Sequence, residues 1–328
     1  MRYLLALLTA LIVVSCSSGD RGAHKPASKG LPYELVLIVP KTLYEGPLRD
    51  SLDVLLKSST PVLPQHEPLF RLDVVYQEGN LVPWRTFRNR LLVCLGPTEI
   101  GIARNPVARP QIEVKVSAPT AHELAELIGK NRQYLTDLFV DAELEVEAAR
   151  LRGKYSRMTY DSLQRLTGHT ICVPEGLRAS KVGKDFLWTG TNLNDRDQNF
   201  VFYSYPWDGS SLTEEQFVEK RDSVMRINIP GAAVGQWMQT ALVLGGSPER
   251  TSSHLVLSRT RVLNNKEVLE VHGLWEMRGG ALGGAFVAIA HTDTAAQRVL
   301  VTEGFIYSPH SPKRNLMRQM EAALHTFH

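Results

Sequence analysis

The chain of 328 residues is short of several things at once. It has three cysteines, Cys16, Cys94 and Cys172, too few for a disulfide-stapled scaffold. It lacks an excess of either charge. The 37 Lys and Arg stand against 34 Asp and Glu, for a formal net charge of +3, whereas a nucleic-acid binder concentrates basic residues on one face. Runs of about twenty apolar residues, which a helix needs to cross a bilayer core, are missing. Catalytic strings are scarce too. The nearest approach to GxSxG is Gly245-Gly246-Ser247-Pro248, where proline follows the serine. The Gly279-Gly280 and Gly283-Gly284 pairs are flanked by strand-like sequence on both sides. A phosphate loop needs a strand before it and a helix after, so a hairpin is expected there instead. His122-Glu123 lacks the second histidine of HExxH, and His325 with His328 would need two further ligands to hold zinc. No metal, no cofactor and no enzymatic activity are expected.

What is present is an ordinary globular composition, 43% apolar and 22% charged, long enough for two modest domains. The first residues, MRYLLALLTALIVVSC, pair a basic Arg2 with an apolar segment from Leu4 to Val14. Eleven helical residues span about 16 Å, which fits a secretory signal better than a membrane span. Val13-Val14-Ser15-Cys16 resembles the bacterial lipobox, in which a cysteine is acylated and becomes the new N-terminus. Residues 1–15 therefore read as a signal peptide and Cys16 as the lipidated residue. Residues 16–30 read as a flexible tether free of large apolar side chains. Acyl chains at about 0.8 kcal/mol per buried methylene would hold the chain on a membrane. Ser17, rather than Asp, and the lack of an acidic run point to the outer membrane, facing the periplasm.

Hydrophobic periodicity assigns the rest to α+β, as two α/β layers. An N-terminal α/β domain covers 31–152 and a C-terminal α+β domain, with a mostly antiparallel sheet and covering helices, covers 168–328. In the first, strands are expected at Leu35–Val39, Leu91–Leu95 and Ile112–Val116. A helix opens at Gly46-Pro47, and a long helix runs from the Thr120/Glu123 capping box to about Arg152. A short helix at 155–167 ends at Gly168. In the second, strands are expected at 170–173, 184–189, 199–205, 238–244, 254–262, 267–277, 284–291 and 298–307. Asn264-Asn265 forms a tight hairpin. Helices are placed at 214–227, capped by Thr213 and Gln216, and after Ser311-Pro312.

The strings LYEGPLRDSL, LPQHEPLF, FYSYPW, KRDSVMRINIPG, GLWEMRGGALGGAFV and EGFIYSPHSPKRNLMRQMEAAL resemble a family of Bacteroidetes lipoproteins known as domain of unknown function 4837. Ala285 departs from the proline expected after the double glycine, a change expected to alter one strand edge. The resemblance implies a lipidated envelope protein and brings no activity, cofactor or catalytic residue with it.

The candidate ligand or partner surface is the aromatic strand NFVFYSYPWDG. Tyr203, Tyr205 and Trp207 share one face of it by alternation, and Trp188 or Trp275 could join them as a glycan platform. A second candidate is Arg221, which falls on the apolar stripe of the 214–227 helix. It must snorkel to the rim, meet a carboxylate such as Glu276 or Glu303, or line an anion pocket, because an unpaired buried guanidinium costs several kcal/mol. Cys94 and Cys172 read as thiols in apolar strands, bridged only if those strands are neighbours. The leading expectation is a non-catalytic, membrane-anchored module that binds an envelope protein partner and no nucleic acid. The alternatives are an envelope hydrolase with a noncontiguous site, or a glycan or peptidoglycan binder.

Overall fold

The computed structural model describes residues 25–242 and 254–328. Cys16 and its lipobox-like flank lie outside the described residues, as do positions 243–244 of the strand expected at 238–244.

The apolar run near the start forms β1 (Glu34–Val39), all six residues of which are buried. Two helices follow, α1 (Lys41–Tyr44) and α2 (Arg49–Leu56). Then come β2 (Arg71–Tyr76), β3 (Asn89–Leu95), β4 (Glu99–Arg104) and β5 (Ile112–Ala118). The sheet order is β2-β1-β3-β5-β4, parallel except for β4 on the edge. Parallel strands covered on both faces carry continuous apolar runs, which is why β1 and β3 were legible in the sequence. The edge strands β2 and β4 are only partly buried and carry no such run.

The expected long helix is in fact two, α3 (Ala121–Lys130) and α4 (Arg132–Gly153). Between them Asn131 leaves helical geometry and its Nδ2 donates back to the Leu127 carbonyl at 2.8 Å, the local competition that favours asparagine at helix ends. The capping box of Thr120 and Glu123 is present. Helix α2 starts at Arg49, two residues later than a first-turn Pro47 would require. Helix α5 (Arg157–Thr167) ends on Gly168 at φ +80°, and Thr159 Oγ1 donates to Thr189 Oγ1 in the second half at 3.3 Å.

That half contains β6 (Ala179–Val182), β7 (Phe186–Gly190), β8 (Asp197–Pro206), α6 (Glu214–Asn228), β9 (Trp237–Thr240), β10 (Val256–Leu263), β11 (Lys266–Arg278), β12 (Gly283–Asp293), β13 (Arg298–Tyr307) and α7 (Arg314–Leu324). The strands form one antiparallel sheet, β10-β11-β12-β13-β8-β7-β6, with β9 beside the far end of β11. Asn264 and Asn265 turn the β10–β11 hairpin at φ +51° and +62°, as the sequence predicted. The β11–β12 hairpin carries the double glycines. Ala285 lies buried within β12 opposite Leu274, not at an edge. The segment 170–173 is not a strand. It runs beside the chain that follows α7, where the Thr170 N–H donates to the His328 carbonyl at 2.9 Å and the Cys172 N–H to Thr326 Oγ1 at 2.8 Å. Cys94 and Cys172 are free thiols.

The chain thus has the α+β composition expected, with a separate sheet in each half. One apolar core joins them. It takes Leu35, Leu37 and Val116 from the N-terminal sheet, Leu135 and Phe139 from α4, Met320 and Leu324 from α7, and Phe200, Phe202 and Val287 from the C-terminal sheet. Helices α4 and α7 therefore form a middle layer between the two sheets. A second core lies on the outer face of the C-terminal sheet, where Phe217, Val218 and Met225 of α6 meet Val201, Tyr203 and Trp275.

Candidate functional site

The aromatic strand does not present an open face. Alternation along β8 sends Phe200 and Phe202 into the shared core and Tyr203 under α6. Tyr203 and Trp275 are 1% and 3% exposed. Trp188, Tyr205 and Trp207 are half-buried. The three indole N–H groups are spent within the fold, on Asn199 Oδ1, the Ser210 carbonyl and the Ile306 carbonyl. The platform reading is corrected accordingly: α6, whose Thr213 cap fixes its start, covers the face a glycan would need.

Arg221 neither snorkels nor lines an anion site. Its side chain is fully buried and grips Glu303, also fully buried, with Nε to Oε2 at 2.9 Å and Nη2 to Oε1 at 2.7 Å. Nη1 donates to Thr240 Oγ1 at 3.1 Å and Asp222 Oδ1 at 3.4 Å, and Nη2 also faces the Met238 sulfur. All five donors are occupied. The guanidinium lies 4.0 Å from the Phe286 ring centroid, a desolvated cation–π contact. Burial works against the Arg221 charge, but the Glu303 carboxylate outweighs it and holds the guanidinium above its ordinary value. Of the two expected partners Glu303 is the one; Glu276 accepts from Gln239 Nε2 instead.

The structure assembles a different polar site where the halves meet. A cleft of about 410 Å³ opens between α4, β10, β11 and the start of α7. Its hub is Glu270, 1% exposed. Oε1 accepts from Arg259 Nε at 2.8 Å and lies 3.0 Å from His272 Nε2, while Oε2 accepts from Arg261 Nη1 at 3.0 Å. The same arginines reach across to α4, Arg259 to Asp137 at 3.0 Å and Arg261 to Asp141 at 2.8 Å. Local geometry produces this ladder. Residues 259 and 261 share one face of β10, 270 and 272 one face of β11, and 137 and 141 one face of a helix. Burial opposes the charge on Glu270, but His272, Arg259 and Arg261 together hold its carboxyl far below the usual range.

Behind the hub, Arg318 of α7 pairs with Glu321 at 2.6 Å, both buried. That bond from Nη1 is the sole hydrogen bond of this guanidinium among the described residues, and its buried Nε has no partner, nor does Glu321 Oε1. At the mouth, exposed Arg132 rests on Ser58 Oγ at 3.0 Å, with no carboxylate partner among the described residues. Glu270, Glu321 and His325 each bring one potential ligand atom within 4.8 Å of the others. Burial pushes the His325 imidazole below its ordinary value, so it is a neutral donor. Yet the carboxylates are already committed to Arg259, Arg261 and Arg318, and a divalent cation would sit among three guanidiniums. The donor set suits internal ion pairing, not a metal.

None of this network was legible beforehand. The Asp137/Asp141 and Arg259/Arg261 spacings are visible in the sequence, but each alone reads as a solvated face; only the approach of α4 to β10 turns them into partners. No curated protein matches this chain. Residues 28–152 match a family model described as a domain of unknown function, DUF8532; the strings LYEGPLRDSL and LPQHEPLF fall in this range. The cleft draws Arg132 and Asp137 from that stretch and Arg259, Glu270 and Arg318 from the remainder. The second match covers residues 156–326, more than half of the chain and all of its C-terminal sheet, and by it the chain belongs to the family described as domain of unknown function DUF4837.

Proposed function

We propose that the protein is a lipid-anchored envelope module without catalytic activity, held by Cys16 on the periplasmic side of the outer membrane, and that it binds a segment of an envelope partner in the cleft between its two halves. The observation that carries this reading is the cleft itself. It is large enough for a few side chains and lies where two units meet, a common place for ligand sites. It also contains two guanidiniums, Arg132 and Arg318, that the protein leaves short of acceptors. An acidic side chain or a terminal carboxylate would complete them.

The same geometry argues against hydrolysis. A carboxyl serving as general acid needs a raised pKa, while Glu270 is held ionised by two arginines. Two of the three serines lining the cleft are turned elsewhere, Ser58 to the Val54 carbonyl and Ser258 to Glu214. Glycan binding is left without the open aromatic face it requires.

A photocrosslinking residue in place of Gln133, at the cleft mouth, should yield one discrete adduct in native membranes, lost in Arg132→Glu. Absence of any adduct, or a hydrolytic activity abolished by His272→Ala, would overturn the reading. Metabolic labelling with a palmitate analogue should mark the wild type and not Cys16→Ala; equal labelling would remove the anchor from the proposal.

A further inference from the structure

One end of the C-terminal sheet is unlike the rest of the surface. The loop between α6 and β9 and the β11–β12 hairpin lie side by side there, joined by hydrogen bonds from Gln236 Nε2 to the Gly279 carbonyl and from the Gly231 N–H to the Gln236 carbonyl. Residues 227–239 and 279–290 contain no charged side chain. Large apolar groups are nevertheless turned outward: Ile227 is 74% exposed, Val234 is fully exposed and Leu282 is 45% exposed. Beside them the Trp237 ring has two guanidiniums over it, Arg226 at 4.4 Å and Arg278 at 4.9 Å from its centroid. Its indole N–H has no hydrogen bond among the described residues. Lys181 adds a third cation through its bond to the Asn228 carbonyl at 2.8 Å. The carboxylates that flank these segments in the sequence, Asp222 and Glu276, are engaged by Thr240 and Gln239.

We propose that this tip docks on an anionic phospholipid surface, with Val234, Ile227 and Leu282 entering the headgroup boundary and Arg226, Arg278 and Lys181 meeting lipid phosphates. Exposed apolar side chains beside three cations, with the flanking carboxylates already engaged, match such an interface on both counts, burial and charge. A tryptophan with its ring on cations and its N–H free suits the headgroup level, where the amphipathic indole settles.

The placement agrees. Helix α7 runs from this end of the sheet to the opposite one: Gln198, early in β8, bonds Gln319, whereas Phe327 accepts from Asn264 in the far hairpin. Arg314, the first residue of α7, lies 5.7 Å from the Tyr33 ring. The beginning of the described chain and the tip therefore lie toward the same end of the molecule, so an anchor upstream of residue 25 would draw the tip to the bilayer.

The test uses residues 17–328, which contain every described element and no lipid, so that it is independent of the Cys16 proposal. Co-sedimentation is measured with vesicles of phosphatidylethanolamine and phosphatidylglycerol at 70:30, and with phosphatidylcholine alone. The wild type should bind the anionic vesicles, release in high salt and ignore the neutral ones. Each cation near such a surface contributes about fivefold, so Arg226→Gln with Arg278→Gln should weaken partitioning by about 25-fold, and Val234→Asp should do so without touching a cation. Melting temperatures of the variants should match the wild type, since these side chains are exposed. Failure to bind the anionic vesicles overturns the proposal. So does binding that survives both variants, or a loss confined to capture of a soluble protein, which would make the tip a protein interface.

Discussion

Arg221 of α6 and Glu303 of β13 meet through two parallel hydrogen bonds of 2.9 and 2.7 Å, with neither side chain exposed to solvent. This pair ties the covering helix to the middle of the C-terminal sheet. Removing one partner of such a pair strands the other charge in a dry site, whereas replacing both with apolar groups is often tolerated.

Arg221→Ala should therefore cost about 3 kcal/mol or more. Arg221→Met combined with Glu303→Leu should recover most of that loss. Arg226→Ala, five residues along the same helix and exposed, should stay within about 1 kcal/mol of the wild type. Urea unfolding of the four proteins checks this; equal midpoints for the two alanine variants would contradict the burial argument.

Glu270→Gln keeps the shape of the hub but replaces one acceptor oxygen with an amide N–H aimed at a guanidinium and removes the charge that Arg259 and Arg261 share. A loss of about 3 kcal/mol is expected, against about 1 kcal/mol or less for Asp141→Asn at the rim, because exposed partners are screened. Chemical denaturation at pH 7 measures both.

His291 supplies a pH dependence. Burial first, then the positive surroundings of Lys266 and His169, lower its pKa from 6.5 to about 4. The unfolded chain therefore binds more protons between these values, and stability rises with pH across that window. The contribution is complete above pH 6.5 and lost as pH falls toward 4. By pH 5 about 2 kcal/mol of it has been lost, and His291→Gln should flatten the stability curve between pH 5 and 7. An unchanged slope in the variant would refute the assignment.

Gly284→Ala tests the sheet's closest approach. A Cβ there would come within 2.0 Å of the Ile306 carbonyl oxygen and 2.9 Å of Trp275 Nε1. A backbone oxygen cannot rotate aside, so a loss of about 2–3 kcal/mol is expected, read as a lowered melting temperature.

Legibility in the sequence followed burial pattern. Strands β1, β3, β11, β12 and β13 announced themselves because interior strands must be apolar, and helices α3 and α6 because Thr-x-x-Glu and Thr-x-x-Gln caps are local chemistry. The edge strands β2, β4 and β6 did not, since half-exposed strands tolerate Arg, Glu and Lys. Arg221 stood out because a cation in an apolar stripe demands a partner, and one of the two carboxylates suspected, Glu303, is that partner. The Glu270 hub stayed hidden because its partners lie more than a hundred residues apart on α4 and β10, and no spacing rule reaches that far. The aromatic strand misled for the opposite reason: alternation located the faces correctly, but nothing local says that α6 lies across one of them.

The middle layer of α4 and α7 governs the order in which the molecule can close. Helix α4 packs against α7, which begins about two hundred residues after β5 ends. Contacts that distant cannot form until the intervening chain exists, and they make folding slow. A chain of this design remains incomplete, and therefore threadable, for as long as its final helix is still to come.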